Sequence, residues 1–289
     1  MKRFAEATRK SSIGLGVSLL VVGFSPGEAN LAAKVCTALH SSAAQQSRSP
    51  QRSSPSSIPK TSTAEKDELV LFEAAQNSLD QRHYDEAIRI YNKLLVLAAK
   101  DRKTLATVHV KIGNVFVAQR RFDRASAEFQ QATTLDPEYA VAHNNLGEAR
   151  GELRQFNLAL EAFNRAVAVD PKLSRARYNI GITYGRLGNL KYSEFVFRLL
   201  VRDRPEYDLG YDGLAVMLSK SGRAREALAF HQKAISLNPK EPSYYYNLAL
   251  SYLILGETEK ALEQQKILRE IAPEVANQLA SVIIKRQMR

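Results

Sequence analysis

Cysteine and tryptophan are all but missing: 289 residues hold one cysteine, Cys36, and no tryptophan. A single thiol excludes an internal disulfide framework and any zinc or iron–sulfur site built on several cysteines. Histidine is scarce as well, with His40, His83, His109, His143 and His231. They fall in no metal-ligand spacing, so no metal and no cofactor is expected. The one prominent apolar run, residues 13–24, is twelve residues long. That is short of the ~20 needed to span a bilayer comfortably.

Positive charge is abundant. Lys and Arg total 41 against 30 Asp and Glu, for a net charge of +11 and a pI near 9.7. Such a balance first reads as nucleic-acid binding, and the length as about two domains. With 45% hydrophobic residues the chain can bury a sizeable core. The charge is unevenly placed, however. Residues 1–60 account for +6 and the other 229 residues for +5. The basic pI therefore describes the N-terminal segment more than a folded surface, and no specific nucleic-acid partner is expected.

That segment has internal order. Lys2, Arg3, Arg9 and Lys10 precede the apolar run, and Pro26 and Gly27 end it. Gly27 and Ala29 supply small residues for cleavage after Ala29. Charged start, apolar stretch and small-residue exit make residues 1–29 a signal peptide. The alternatives are an uncleaved anchor through residues 13–24 or an organelle transit peptide. A lipid-attachment reading of Cys36 is disfavoured by the charged Lys34. The expected location is extracytoplasmic, or membrane-bound if the leader is retained. Residues 30–66 follow as a basic Ser/Pro-rich linker. Within 41–60, eight residues are Ser and three are Pro, too little apolar surface to offset ordering entropy.

The rest of the chain repeats. Pro137, Pro171, Pro205, Pro239 and Pro273 stand 34 residues apart. Ala125, Ala159, Ala227 and Ala261 keep the same clock, with Ser193 in the gap. So do the small residues Gly113, Gly147, Gly181, Ala215 and Ala249. Within each period, apolar residues fall three and four apart in two blocks, which predicts two helices. Gly188, Gly222 and Gly256 sit where the first helix must stop, with Arg82, Arg120 and Arg154 in the earlier periods. Glycine tolerates the left-handed conformation of a helix C-cap, and proline halts the second helix.

On these residues the chain resembles the tetratricopeptide repeat family. Residues 140–173 carry the family pattern in His143, Leu146, Gly147, Ala159, Phe163, Ala166 and Pro171. Residues 106–139 carry it in Ile112, Gly113, Phe116, Ala125, Phe129, Ala132 and Pro137. Six repeats are expected, at 68–101, 106–139, 140–173, 174–207, 208–241 and 242–275. Four extra residues near 99–103 are expected to form a longer turn. Residues 276–289, with Leu279, Val282 and Ile283, are expected to cap the last repeat. The resemblance implies an all-α fold, a right-handed α-solenoid whose first helices line a concave face where extended peptides lie.

No catalytic constellation is legible. His109 and His143 share one packing position of the first helix, and His231 lies at a packing position of the second. Gly181, Gly185 and Gly188 lack the strand and Lys-Ser/Thr of a phosphate loop, and Glu148 with Glu152 reads as a solvated helix face. Binding is the better expectation, and the chain is read as a non-enzyme. Asn145, Asn179 and Asn247 share one helical phase, and a carboxamide can donate to and accept from a peptide backbone at once. The resemblance also places Asn114, Asn145 and Arg175 at the middle positions of a carboxylate clamp found in some family co-chaperones. Its two outer positions hold Val110 and Asn179, so the flanking charge-assisted bonds are missing. Arg175 and Arg186 suit an acidic peptide, while Tyr246, Leu250 and Ile254 suit a hydrophobic one or the cap. The function read from sequence is a protein–protein interaction scaffold in cell-envelope assembly, binding a partner peptide through Asn114, Asn145, Arg175, Asn179, Arg186, Tyr246 and Asn247. The alternatives are a regulatory or substrate-recruiting subunit of an envelope or glycosyltransferase-type enzyme, or an anionic-surface binder through the basic linker.

Overall fold

The computed structural model describes residues 63–99 and 101–287; the leader and most of the linker lie outside the described residues. Thirteen α-helices, and no strand, make up the described chain. They pair as α1 (Thr63–Asp80) with α2 (Tyr84–Leu97), α3 (Arg102–Ala118) with α4 (Phe122–Leu135), and α5 (Ala140–Glu152) with α6 (Phe156–Val169). Next come α7 (Ser174–Arg186) with α8 (Leu190–Asp203), α9 (Asp208–Lys220) with α10 (Ala224–Leu237), and α11 (Pro242–Ile254) with α12 (Thr258–Ile271). A final helix, α13 (Pro273–Gln287), closes the stack. The chain is an α-solenoid. Each helix packs on its sequence neighbours, and each first helix also touches the first helix of the next repeat from α3 through α11, with α13 in that role at the end. First helices therefore crowd together on the inner side of the stack.

Every turn from first to second helix has one geometry. Arg82, Arg120, Arg154, Gly188, Gly222 and Gly256 all have φ between +58° and +80°. In each case two backbone bonds tie the turn to the helix it ends. Arg154 N–H donates to the Gly151 carbonyl at 3.1 Å and Gln155 N–H to that of Arg150 at 2.9 Å, and the other five repeat the pattern. This is the Schellman closure, which satisfies carbonyls the helix end would otherwise orphan.

The return turns carry the prolines. Asp136 and Asp170 each accept from the backbone N–H two residues on, at 3.1 and 2.9 Å. A side chain from the following helix then locks the turn: His143 Nε2–H donates to the Pro137 carbonyl at 3.0 Å. Tyr245, three repeats further on, does the same to Pro239 at 2.9 Å.

Three boundaries differ from the sequence reading. The four extra residues do not lengthen a turn. Asp101 N–H donates to the Ala98 carbonyl at 2.9 Å as Tyr139 does to that of Asp136 and Leu173 to that of Asp170, both at 3.1 Å, and α3 instead has 17 residues where α5, α7, α9 and α11 have 13. Four residues are close to one helical turn of 3.6, so the insertion preserves every downstream face. Asp101 caps the added turn through Lys103 N–H at 3.0 Å and Thr104 Oγ1 at 2.6 Å. From that turn Arg102 reaches the terminal carbonyls of α4, Leu135 and Thr134, both at 3.2 Å. The second difference is at the N-terminus, where α1 begins at Thr63, inside the span read as linker to 66. The third is the cap, which starts at Pro273 rather than 276. Proline fits the first turn of a helix because its missing N–H would be unpaired there anyway.

The core is built on aromatic rings seated on glycines. A Cβ placed on Gly113, Gly147 or Gly181 would lie 2.5–2.7 Å from the ring of Phe129, Phe163 or Phe197. Close approach of first and second helices is thus bought with the missing side chain.

Candidate peptide-binding face

Residues 34 apart on the first helices form rows across the inner face. One row reads Val110, Asn144, Tyr178, Asp212, Tyr246. A second reads Asn114, Glu148, Ile182, Val216, Leu250. A third, at the C-terminal ends of the helices, reads Ala118, Glu152, Arg186, Lys220, Ile254.

Of the predicted asparagines, Asn114 lies in the second row; Asn145, Asn179 and Asn247 lie one residue beside the first row, and their side chains reach backward. Asn145 Nδ2–H donates to Asn114 Oδ1 at 3.4 Å. Asn179 donates to Asn144 Oδ1 at 3.0 Å and to Glu148 Oε1 at 2.8 Å. Asn247 donates to Asp212 Oδ2 at 2.9 Å. Each carboxamide thus bridges to the first helix of the preceding repeat. Gly213 interrupts the series because the Phe197 ring fills that space, 2.5 Å from where its Cβ would be.

Glu148 is the hub. It accepts from Asn144 at 2.9 Å, from Asn179, and from Arg175 through Nε at 2.7 Å and Nη2 at 3.1 Å. This overturns its reading as part of a solvated face. Burial disfavours the Arg175 charge, but Glu148 more than offsets that and the guanidinium is held above its ordinary value. Arg175, Asn179, Asn145 and Asn114 are therefore brought together. Arg186 stands apart, 3.7 Å from Glu152 in a looser ion pair.

Lys220 follows Arg186 one repeat on. It has no carboxylate partner among the described residues. Burial, and then the charge of Arg186, push its ammonium below the ordinary value. Lys111, in the second repeat, is also lowered by burial, with Asp80 opposing. Tyr178, which feels the charges of Arg186 and Arg175, belongs to an aromatic cluster. Tyr178 meets Phe197 edge-on at 5.7 Å and Tyr207 at 6.4 Å. Burial and then Asp212 push the Tyr178 phenol up, and burial pushes that of Tyr207 up to about 12. Arg175, Arg186 and Lys220 are exposed, and cations beside aromatic rings favour an anionic, partly apolar ligand. At the C-terminal end, Tyr246 and Leu250 pack into the cluster that holds Ala276, Leu279 and Ile283 of α13, so the apolar stripe there belongs to the cap.

Sequence reading missed Asn144, Tyr178, Asp212 and Lys220. The signal of the first three was the same 34-residue clock read one phase earlier than Asn145 and Asn179, and that of Lys220 the clock carried one repeat beyond Arg186. It also missed the partners of His231. Asp212 Oδ1 lies 2.9 Å from His231 Nδ1, and Ser251 Oγ lies 3.1 Å from His231 Nε2. The order Asp–His–Ser is that of a hydrolytic triad. Here, however, His231 is 0% and Ser251 1% exposed, and the Ser251 hydroxyl also meets the Asn247 carbonyl at 3.1 Å and Ser219 Oγ at 2.8 Å. The three side chains satisfy one another inside the stack, a buried polar joint between α9, α10 and α11.

Comparison with known proteins agrees with the repeat geometry. A TPR repeat family model matches residues 113–154, and two tetratricopeptide repeat models match residues 140–173 and 232–263. The chain carries tetratricopeptide repeats. No curated protein matches it by sequence. Among solved structures, a tetratricopeptide repeat protein from Parabacteroides merdae is 18% identical with a TM-score of 0.63, covering 88% of this chain and 91% of that one. The type IV pilus biogenesis factor PilW is 19% identical with a TM-score of 0.62, covering 74% of this chain and 99% of that one. PilF of Pseudomonas aeruginosa is 15% identical with a TM-score of 0.60, at 76% and 99%. At these identities the likeness is one of fold. Tetratricopeptide repeats are protein-interaction modules, which supports reading this chain as an interaction scaffold.

Proposed function

We propose that this protein is an interaction scaffold of the cell envelope that holds an extended, acidic partner peptide along its inner face. The observation that carries the reading is the pair Arg186 and Lys220. They occupy the same position in successive first helices, and Lys220 has no counter-charge among the described residues. A carboxylate placed between them would gain charge-assisted bonds and relieve a like-charge repulsion. Tyr178 and Tyr207 beside Arg175 would receive the apolar part of the same peptide. The envelope placement rests on the signal-like residues 1–29. The pilus role printed for PilW supports it only as a fold relative.

The test is binding of an array of acidic and amidated peptides to the full chain, with Arg186→Gln and Lys220→Gln. Acidic peptides are expected to bind and to lose at least tenfold in affinity in the double variant, since each lost charge-assisted bond amounts to roughly 1.5–3 kcal/mol. Equal binding of acidic and amidated peptides would refute the anionic anchor.

A further inference from the structure

Two helices bring three donor side chains to one point of the inner face. Arg175 of α7 reaches Glu148 through Nε at 2.7 Å and Nη2 at 3.1 Å, one nitrogen to each carboxylate oxygen. This is the bidentate fork by which a guanidinium recognises a carboxylate. Asn179 of α7 donates to the same carboxylate at 2.8 Å and Asn144 of α5 at 2.9 Å. A guanidinium and two carboxamides therefore form a carboxylate site, and the chain itself supplies the carboxylate. Glu148 is the one acid in its row, which continues as Ile182, Val216 and Leu250.

The site is open to the groove. The Arg175 side chain is 53% exposed and that of Glu148 33%, so both meet whatever lies along the face. Oε1 accepts three of the four bonds, and Oε2 accepts the one from Arg175 Nη2. A carboxylate oxygen with a free lone pair receives a further N–H, and it repels a second carboxylate. The neighbouring cations are placed the other way. Lys220 has no carboxylate partner among the described residues, and Arg186 has the looser pair with Glu152 at 3.7 Å.

We infer, on the reading of the inner face as a peptide face, that Glu148 sets its specificity by filling the carboxylate site of Arg175, Asn144 and Asn179. An acidic side chain or chain terminus of the ligand is refused there, and Arg186 and Lys220 are left to take it. Discrimination uses an unfavourable contact as well as a favourable one. The peptide segment over Arg175 is accordingly neutral and offers an N–H to Oε2. Tyr178 and Tyr207, both close enough to act on the Arg175 charge, give such a segment apolar surface. Glu148 is thus a built-in competitor, and removing it should turn a refused position into an anion site.

Glu148→Gln removes the charge and keeps the shape. The probes are a labelled peptide with one pair of Glu residues and the same peptide with Gln in their place, each bound to the full chain. R186Q/K220Q should abolish the wild-type preference for the Glu peptide, whereas E148Q/R175Q, which removes the ion pair together, should leave it. E148Q/R186Q/K220Q should bind the Glu peptide at least about tenfold more tightly than R186Q/K220Q, and adding R175Q should cancel that gain. A purely structural Glu148 predicts no gain. A second variant, E148A, leaves room for a free carboxylate. Acetate, against chloride at equal ionic strength, should raise its melting temperature by binding the folded state, and should not do so in E148A/R175Q. Absence of either gain in a chain that remains folded would overturn the inference while leaving the acidic anchor at Arg186 and Lys220 standing. So would a wild-type preference for the Glu peptide that E148Q/R175Q destroys. Equal wild-type binding of the two peptides would sink the acidic anchor, and the Glu148 variants would still decide whether the site takes a carboxylate.

Discussion

Asn179 donates to the Glu148 carboxylate at 2.8 Å across the boundary between two repeats. This bond, with that from Asn179 to Asn144 and the Arg175 pair on the same carboxylate, makes the joint between α5 and α7 polar where the joint between α6 and α7 is apolar. Repeat arrays draw stability from nearest-neighbour interfaces, so the joint has a measurable share. Glu148→Ala should cost about 1–3 kcal/mol, since it strands two carboxamides and a guanidinium. Asn179→Ala should cost about 1 kcal/mol, and a double-mutant cycle in urea should show coupling of ~0.5 kcal/mol or more. Strictly additive losses would mean the bond contributes nothing.

What the sequence made legible follows from this distinction. The proline clock located helix pairs, and the glycine clock located their closest approach, because each is a local demand on one residue type. Arg82, Arg120 and Arg154 fell at the left-handed cap for the same reason. The insertion before α3 was misread as a turn because a period counts residues and does not say which element absorbs them. The asparagine row was visible, but its direction was not. Whether Asn179 faces a ligand or Glu148 depends on the stagger of successive first helices, which no single helix encodes.

Glycine positions of one residue type should separate sharply by surroundings. On Gly147 a Cβ would lie 2.5 Å from the Phe163 ring, while on Gly151, one turn later, nothing lies within 4 Å. Gly147→Ala should destabilise by about 1–3 kcal/mol through overpacking. Gly151→Ala should instead stabilise by up to ~1 kcal/mol through helix propensity. Thermal melts of the two variants, one lowered and one unchanged or raised, check the contrast.

His143 should make stability fall on acidification. Burial holds its ring below the ordinary value of 6.5, against the opposing bond to the Pro137 carbonyl. The unfolded chain thus takes up a proton at a pH where the folded chain does not. The contribution of the neutral ring is complete above the unfolded value and is lost as pH falls through the depressed folded one. Tyr245 makes the equivalent bond to the Pro239 carbonyl through a hydroxyl in place of a ring N–H. His143→Tyr should therefore flatten the fall in melting temperature between about pH 7 and pH 5. An unchanged slope would assign the dependence to other groups.

His231 stands where Phe129, Phe163 and Phe197 stand in earlier repeats, and two neighbours explain the exchange. Ala215 replaces the glycine on which those rings sit, and Asp212 replaces Tyr178, which packs against Phe197. A phenyl ring at 231 would meet the Ala215 Cβ, and it would leave the Asp212 carboxylate with only Asn247, and Ser251 without its imidazole. His231→Phe should cost about 2–4 kcal/mol, part from overpacking and part from the stranded polar groups. Adding Ala215→Gly removes the first part alone. The pair should therefore recover about 1 kcal/mol or more, and adding Asp212→Tyr should recover more still by rebuilding the Tyr178–Phe197 arrangement. If Ala215→Gly worsens His231→Phe in denaturant melts, the ring is not seated on residue 215, and histidine stands at 231 for its polar partners alone.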